Sequence, residues 1–155
     1  WEMLEDFVRD GDFDCFMLAG RYTLLEQKAL PLLDLCAERG IGILLAGIYN
    51  SGILATGPIT GAKYNYRDAP PAIMDKAKRL EDLCKRYDVP LRAAAMQFPL
   101  GHPAISSLVV GFSSPDRVSS NLGYLETQIP DALWAEMRDS GLISPECPLH
   151  DSYQR

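Results

Sequence analysis

Residues 113–117 (SSPDR) combine residue types that can hold a phosphate group at the start of a helix. They follow an apolar run and precede a helical pattern, so Ser113 and Ser114 can present free backbone amides and the positive end of the helix to an anion. Arg117 would supply a charged partner. The same residues also suit an ordinary helix N-cap with a solvated arginine in the first turn. Spacing alone leaves both interpretations open.

Residues 48–69 form the second candidate ligand site. This stretch carries Gly, Thr and Asn residues and is much longer than the roughly 2–6 residues of a usual strand-to-helix connection. Loops of that length in compact domains are commonly functional, so a ligand is expected here first. The alternative is that Asn50, Ser51 and Gly52 make an ordinary turn after a strand.

Other reactive side chains offer little chemistry. His102 and His150 have no second ligand at metal spacing and no neighbouring nucleophile, so neither is assigned a catalytic role and no metal is expected. The four cysteines have no CxxC spacing and are interpreted as core or surface thiols. They are Cys15, Cys36, Cys84 and Cys147.

The elements that would position these loops follow from apolar patterning. Runs at residues 13–19, 41–46 and 105–110 predict strands of the kind buried on both faces of a parallel sheet. Helices are predicted at residues 1–9, 30–39, 71–84, 91–100 and 115–123 and from Pro130 onward, with Pro99 ending or kinking the fourth. Residues 142–155 read as a polar tail that lies loosely over a domain of residues 1–141.

This alternating order predicts an α/β fold with parallel strands joined by right-handed helical crossovers. Three parallel strands leave two open edges, which finished domains avoid. We therefore expect part of a larger closed sheet, with the missing strands N-terminal to Trp1, where the first helix begins without a capping residue.

Bulk composition excludes some classes of function. The 155 residues are 47% apolar and 23% charged, with 15 basic and 21 acidic side chains and a net charge of −6. Scattered positive charge argues against nucleic acid and anionic membranes as partners. No apolar run approaches the roughly 20 residues of a membrane span, and no signal-type stretch opens the chain, so a cytoplasmic protein is expected.

Three segments resemble the C-terminal half of the aldo-keto reductase barrel, in the order found in that family. They are residues 18–25 (LAGRYTLL), 46–57 (AGIYNSGILATG) and 109–122 (VVGFSSPDRVSSNL). The sequences of these segments are most similar to those of the branch that contains aldose, fucose and pyridoxal dehydrogenases. The resemblance implies that the three strands are the sixth to eighth of a TIM (β/α)8 barrel, with active-site loops at their carboxyl ends.

The same resemblance implies an oxidoreductase that transfers a hydride between NAD or NADP and an aldehyde, ketone or sugar hemiacetal. The family's catalytic Tyr, Lys, Asp and His belong to its first five strands. We therefore expect no catalytic residue in this chain, and no activity from the chain alone.

Site residues follow by matching positions. Residues 50–57 correspond to the segment over the cofactor pyrophosphate, where Gly52 lets the backbone approach the phosphate. Arg117 corresponds to a contact with the adenosine 2′-phosphate and Asn121 to a contact with adenine. The expected cofactor-binding set is Tyr22, Tyr49, Asn50, Ser51, Gly52, Ile53, Leu54, Gly111, Ser113, Ser114, Arg117 and Asn121. Arg21 lines the substrate site or forms a structural ion pair, two roles that the sequence leaves open.

Two positions depart from the family pattern. Gly111 stands where reductases specific for NADP often carry a lysine, which favours NAD or use of both nucleotides. Gly47 stands where an aromatic residue often stacks on the nicotinamide. Either Tyr49 takes that place or the stacking is lost.

Three alternatives accompany this hypothesis. The chain could be a nucleotide-binding subunit without enzymatic activity, or a half-barrel that self-associates through its open sheet edges. It could also be an incomplete piece of a longer enzyme, which the uncapped start at Trp1 favours.

Overall fold

A computed structural model describes residues 1–149 of the chain. Three parallel strands form the central sheet, β1 (Cys15–Ala19), β2 (Gly42–Ala46) and β5 (Ile105–Val109), in the order β1-β2-β5. The register pairs Phe16 with Ile43 and Ile43 with Ile105. The α/β fold and the three predicted parallel strands are confirmed.

Seven α-helices surround or follow the strands in the described residues. They are α1 (Glu2–Asp10), α2 (Leu30–Arg39), α3 (Ile53–Thr56), α4 (Pro71–Arg86), α5 (Leu91–Gln97), α6 (Pro115–Glu126) and α7 (Asp131–Asp139). Gly40 ends α2 in the left-handed conformation, φ 70°, as its position predicted. Pro99 lies in a 3-10 turn, Phe98–Gly101, so the predicted break in the fourth helix is confirmed at Gln97. Helix α6 extends three residues beyond its predicted end at Gly123.

One face of the sheet packs against the helices, and the other face is open. Leu18, Ile43 and Leu45 are buried, whereas Met17 is 60% exposed and Val109 is 41% exposed. The prediction of strands buried on both faces is therefore wrong for β1 and β5: buried and exposed residues alternate along β1, and β5 has no fully buried residue. Apolar runs indicate a covering on both faces, but within the described residues only the helical layer covers this sheet.

The connection of residues 48–69 has secondary structure that its sequence did not predict. A 3-10 turn, Asn50–Gly52, runs into α3, and a short antiparallel hairpin follows, β3 (Lys63–Tyr64) with β4 (Arg67–Asp68). A two-residue turn joins the hairpin strands, so this part of the loop is ordered by local hydrogen bonds.

The core lies between the sheet and helices α2, α4, α5 and α7. Leu80 and Leu83 of α4 and Leu133, Trp134 and Met137 of α7 are buried, which confirms the predicted inward faces of both helices. After α7, Leu142, Ile143 and Cys147 are also buried. The described part of the segment therefore packs firmly, unlike the expected loose tail, while the domain boundary at residue 141 remains a prediction.

Candidate functional site

The carboxyl ends of β1 and β2 meet through two glycines. Gly20 and Gly47 have φ values of 68° and 66°, a region where residues with a Cβ are strained. The Gly20 amide donates to the Ala46 carbonyl at 2.9 Å. A Cβ on Gly47 would lie 3.2 Å from the Gly20 nitrogen, so the backbones after β1 and β2 approach closely only because Gly47 has no side chain.

Directly after this contact, three successive residues have positive φ. Asn50, Ser51 and Gly52 have φ values of 47°, 59° and 102°. Within the described residues, the backbone amides of Ser51 and Ile53 donate to no acceptor. Successive amides in such a turn form a concave nest that binds anions. We call residues 50–53 the amide nest.

The start of α6 provides a second group of free donors. Ser114 occupies the N-cap position, but its hydroxyl makes no hydrogen bond to the helix. In the part of the chain described, the amides of Ser113, Ser114 and Asp116 likewise find no acceptor. Arg117 is exposed and makes no ion pair with any described residue. Ser114 thus occupies the N-cap position, as the interpretation of an ordinary helix cap predicted. The amides at the start of α6 nevertheless remain available to an anion.

A hydrogen bond connects these two regions across 72 residues. The Tyr49 hydroxyl donates to Asn121 Oδ1 at 2.8 Å, and Asn121 Nδ2 donates to the Arg117 carbonyl at 2.7 Å. Burial raises the pKa of Tyr49 to about 12, so its hydroxyl keeps its proton at neutral pH. Tyr49 is therefore directed toward α6, and its hydroxyl orients the Asn121 amide.

Arg21 lies at the same edge and has polar partners. Its Nη1 is 3.4 Å from Glu26 Oε2 and 3.2 Å from Asn65 Oδ1. The Tyr64 hydroxyl also donates to Glu26 Oε2, and burial together with this bond raises the pKa of Tyr64 to about 12. The structural ion pair expected as one alternative is present, but 37% of the Arg21 side chain stays exposed to solvent.

Several residues of the expected cofactor-binding set are buried. Tyr22 is fully buried, its ring stacked on Phe98 at 5.3 Å between centroids, and burial raises the pKa of its hydroxyl. The side chains of Ile53 and Leu54 are also in the core. These residues can support the site through backbone and packing, whereas Gly111, Ser113 and Arg117 are on the surface.

Four residues of this region were missed by sequence reasoning: Glu26, Tyr64, Asn65 and Tyr66. They lie within loops whose conformation the sequence did not predict, so no periodicity indicated their proximity. The only available signal was the dipeptide Asn65-Tyr66 between Lys63-Tyr64 and Arg67-Asp68, which resembles a hairpin turn.

His102 and the cysteines have other surroundings. His102 is buried, with Nε2 3.1 Å from Asp34 Oδ1 and Nδ1 accepting the Ala104 amide at 3.2 Å. Cys36, Cys84 and Cys147 are buried free thiols, and Cys15 is exposed. Among the described residues, no group of three or more potential ligands could hold a metal ion. His150 lies outside the described residues. In residues 1–149, no helix has the length and apolar character needed to cross a bilayer.

Comparison with known proteins identifies the class. The model of the aldo/keto reductase family matches residues 1–141, so the chain belongs to this family. An aldo-keto reductase from Bacillus halodurans, solved in holo form, superimposes with a TM-score of 0.70 at 21% identity, over 99% of this chain and 50% of that chain. This likeness confirms that the fold corresponds to part of a barrel.

Two curated relatives confirm the expected branch. Pyridoxal 4-dehydrogenase from Microbacterium luteolum is 45% identical over 145 residues, covering 93% of this chain and 42% of the relative. D-threo-aldose 1-dehydrogenase from a Pseudomonas species is 44% identical over 138 residues, covering 88% of this chain and 42% of the relative. The chain thus spans less than half the length of these relatives.

A nicotinamide nucleotide, which the family implies, fits the donors present. Its pyrophosphate requires N–H donors, and the amide nest offers those of Ser51 and Ile53. A 2′-phosphate requires a cation and free amides, which Arg117 and the start of α6 supply. At Gly111 a Cβ would meet no atom within 4 Å, so the loop between β5 and α6 leaves open space beside this phosphate site.

Proposed function

We propose that this chain supplies the cofactor-binding part of an NAD(P)-dependent oxidoreductase. The reaction is hydride transfer between a nicotinamide nucleotide and an aldehyde, ketone or sugar hemiacetal. One observation carries the proposal: the amide nest and the start of α6, whose N–H donors have no acceptor within residues 1–149, are linked by the Tyr49–Asn121 hydrogen bond. NADP carries two anionic groups, the pyrophosphate and the 2′-phosphate, which match the two groups of donors, whereas NAD carries the pyrophosphate alone, which matches the amide nest.

Each part of the nucleotide has a proposed partner. The amides of Ser51 and Ile53 donate to the pyrophosphate, with Gly52 allowing close approach. Asn121 contacts the adenine, and Arg117 with Ser113 and Ser114 receives a 2′-phosphate when NADP is bound. When bound, the nicotinamide ring donates or accepts the hydride.

The cofactor preference follows from charge. Arg117 is the cation near the start of α6, and Gly111 removes the lysine that NADP-specific reductases often have. We infer that NAD is used, or that both nucleotides are used. The names of the two curated relatives, one for pyridoxal and one for aldoses, support a carbonyl or hemiacetal substrate.

No residue of this chain is assigned the acid–base role, because by the family resemblance those residues belong to the first five strands, whereas the strands of this chain correspond to the sixth to eighth. Binding without turnover is therefore expected from the chain as it stands. The same result from a longer protein would favour the alternative of a nucleotide-binding subunit without enzymatic activity.

Calorimetric titration of the chain with NAD and NADP tests the proposal. We expect Arg117→Ala to weaken NADP binding by about 10-fold, since a charge-assisted hydrogen bond contributes about 1.5 kcal/mol, and to change NAD binding less than about twofold. Arg9→Ala removes an exposed arginine from α1 and serves as the matched control. Absence of binding for both nucleotides, or equal weakening by the two substitutions, would contradict the proposal.

Self-association is a second candidate, favoured by exposed apolar residues at both edges of the sheet. Phe13 and Met17 lie before and within β1, Phe112 follows β5, and Leu122 is exposed on α6. Sedimentation velocity over a range of concentrations tests it. A monomer at every concentration would exclude pairing through these edges.

A further inference from the structure

A groove separates the residues that follow the amide nest from the C-terminal part of α6. Its volume is about 270 Å³, and its lining includes Leu54 and Ala55 of α3, Arg92 of α5 and Tyr124 of α6. Pockets for drug-sized ligands measure about 300–1,000 Å³. This groove can therefore hold one ring system and not a whole dinucleotide.

Helix α5 connects the two walls of the groove through side-chain hydrogen bonds. Gln97 Nε2 donates to the Tyr124 carbonyl at 2.7 Å and to the Thr127 carbonyl at 2.8 Å, which fixes the C-terminal part of α6 against α5. On the opposite side, Arg92 Nε donates to the Ala55 carbonyl. Since the guanidinium is rigid and planar, this bond restrains the orientation of the whole group.

Arg92 carries a charge and N–H donors that no described residue uses. It is exposed, and its Nη1 and Nη2 make no hydrogen bond or ion pair within residues 1–149. Lys85, which also lines the groove, is paired with Glu81 at 2.8 Å. A guanidinium stacks on aromatic rings, including nucleobases. Beside the apolar side chain of Leu54, this planar cation suits a flat heteroaromatic ring better than a phosphate.

The groove adjoins both regions proposed to bind the nucleotide. Leu54 directly follows the amide nest, and Tyr124 lies three residues after Asn121 on α6, so these two side chains share a helix face. Burial raises the pKa of Tyr49 and the charge of Arg92 opposes this rise, so the guanidinium lies near the hydroxyl that orients Asn121. A ring that contacts Asn121 can therefore extend to Arg92.

We propose that Arg92 binds the adenine of the nucleotide by stacking its guanidinium on the base, with Leu54 and Tyr124 as the walls beside it. Arg92 lies outside the cofactor-binding set expected from the family resemblance. This inference rests on the proposed function and deepens it. Because NAD and NADP carry the same base, Arg92 raises the affinity for both equally, unlike Arg117, whose proposed partner is the 2′-phosphate.

Calorimetric titration of the Arg92 variants with NAD and NADP tests this assignment. Arg92→Ala should weaken the binding of each nucleotide about fivefold, the effect expected for one cation–π stack, whereas Arg117→Ala should weaken NADP binding alone. Arg92→Lys keeps the charge and loses the planar group, so it should weaken both at least about threefold. Arg39→Ala removes an exposed arginine from α2 and should leave both affinities within about twofold of the parent.

Two fragments of the nucleotide separate a contact with the base from a contact with a phosphate. In NMR titrations of the isotope-labelled chain, AMP should shift the amide signals of Leu54, Arg92 and Tyr124, whereas ribose 5-phosphate, which lacks the base, should not. Arg92→Ala should weaken AMP binding about fivefold and leave the ribose 5-phosphate titration unchanged. Equal weakening for both fragments would overturn the stacking contact.

Thermal unfolding excludes a trivial loss of structure in the variant. Arg92→Ala loses the hydrogen bond to the Ala55 carbonyl, so its melting temperature should fall by no more than about 4 °C. Equal affinity of NAD for the parent chain and for Arg92→Ala would refute the Arg92 contact and leave the cofactor site intact. Absence of binding of both NAD and AMP to the parent chain would refute the cofactor site for this chain, and the Arg92 contact with it.

Discussion

Gly47 is the position where one added methyl group should most disturb the ends of the central strands. Its φ of 66° costs an L-residue about 1–2 kcal/mol. The new Cβ would also lie 3.2 Å from the Gly20 nitrogen, which is backbone and cannot rotate away. Overpacking of this kind costs about 1–3 kcal/mol, so Gly47→Ala should lower the free energy of unfolding by about 2–5 kcal/mol.

Two matched glycine variants separate the strain from the close contact. Gly61 has a φ of 80° and no atom within 4 Å of an added Cβ, so Gly61→Ala should show the strain alone, about 1–2 kcal/mol. Gly111 has open space and no positive φ, so Gly111→Ala should change stability by less than about 0.5 kcal/mol. Thermal unfolding followed by circular dichroism measures all three, with about 2–4 °C expected per kcal/mol.

The melting temperature is therefore predicted to be highest for Gly111→Ala, lower for Gly61→Ala and lowest for Gly47→Ala. If Gly47→Ala is no less stable than Gly61→Ala, the close approach of the two strand ends does not constrain this position. An aromatic residue could then occupy it, as it often does in the family. If the predicted order is observed, the backbone contact explains why this chain carries glycine there.

Three further predictions concern the cofactor site and the buried polar groups. Gly111→Lys should strengthen NADP binding about 10-fold with little effect on NAD, because it adds a cation in open space beside Arg117; equal effects on both nucleotides in calorimetry would contradict this. Tyr49→Phe should lower the free energy of unfolding by about 1 kcal/mol in urea denaturation, since it removes the hydrogen bond to Asn121. Tyr124→Phe should leave it unchanged, because the Tyr124 hydroxyl has no hydrogen bond to any described residue. Burial lowers the pKa of His102 below 6.5 despite Asp34, so the stability contributed by the neutral imidazole is present above about pH 6.5 and is lost as the pH falls toward the lowered pKa. His102→Gln should therefore flatten the dependence of the free energy of unfolding on pH in this range. An unchanged pH dependence in the variant would refute this prediction.

Sequence patterning predicted the regular elements of this fold well. The helix beginning at Pro71 and the one ended by Gly40 follow from periodicity and capping, which act over a few residues and depend little on the rest of the chain. Strand burial was overestimated for β1 and β5, because an apolar run shows what a residue prefers and not what covers it. The hairpin of β3 and β4 was missed, because two-residue strands are too short for a pattern.

The sequence by itself determined the family, the order of strands and helices, and the chemical types of the candidate site residues, since short motifs and local periodicity encode these. Only the tertiary structure decided that Tyr49 reaches Asn121, that Tyr22 lies in the core, and that Arg21 meets Glu26 and Asn65. These contacts join residues up to 72 positions apart, and they depend on how the loops fold back across the strand ends. Side-chain direction there is set by backbone torsions such as the positive φ at residues 50–52, which residue types allow without dictating.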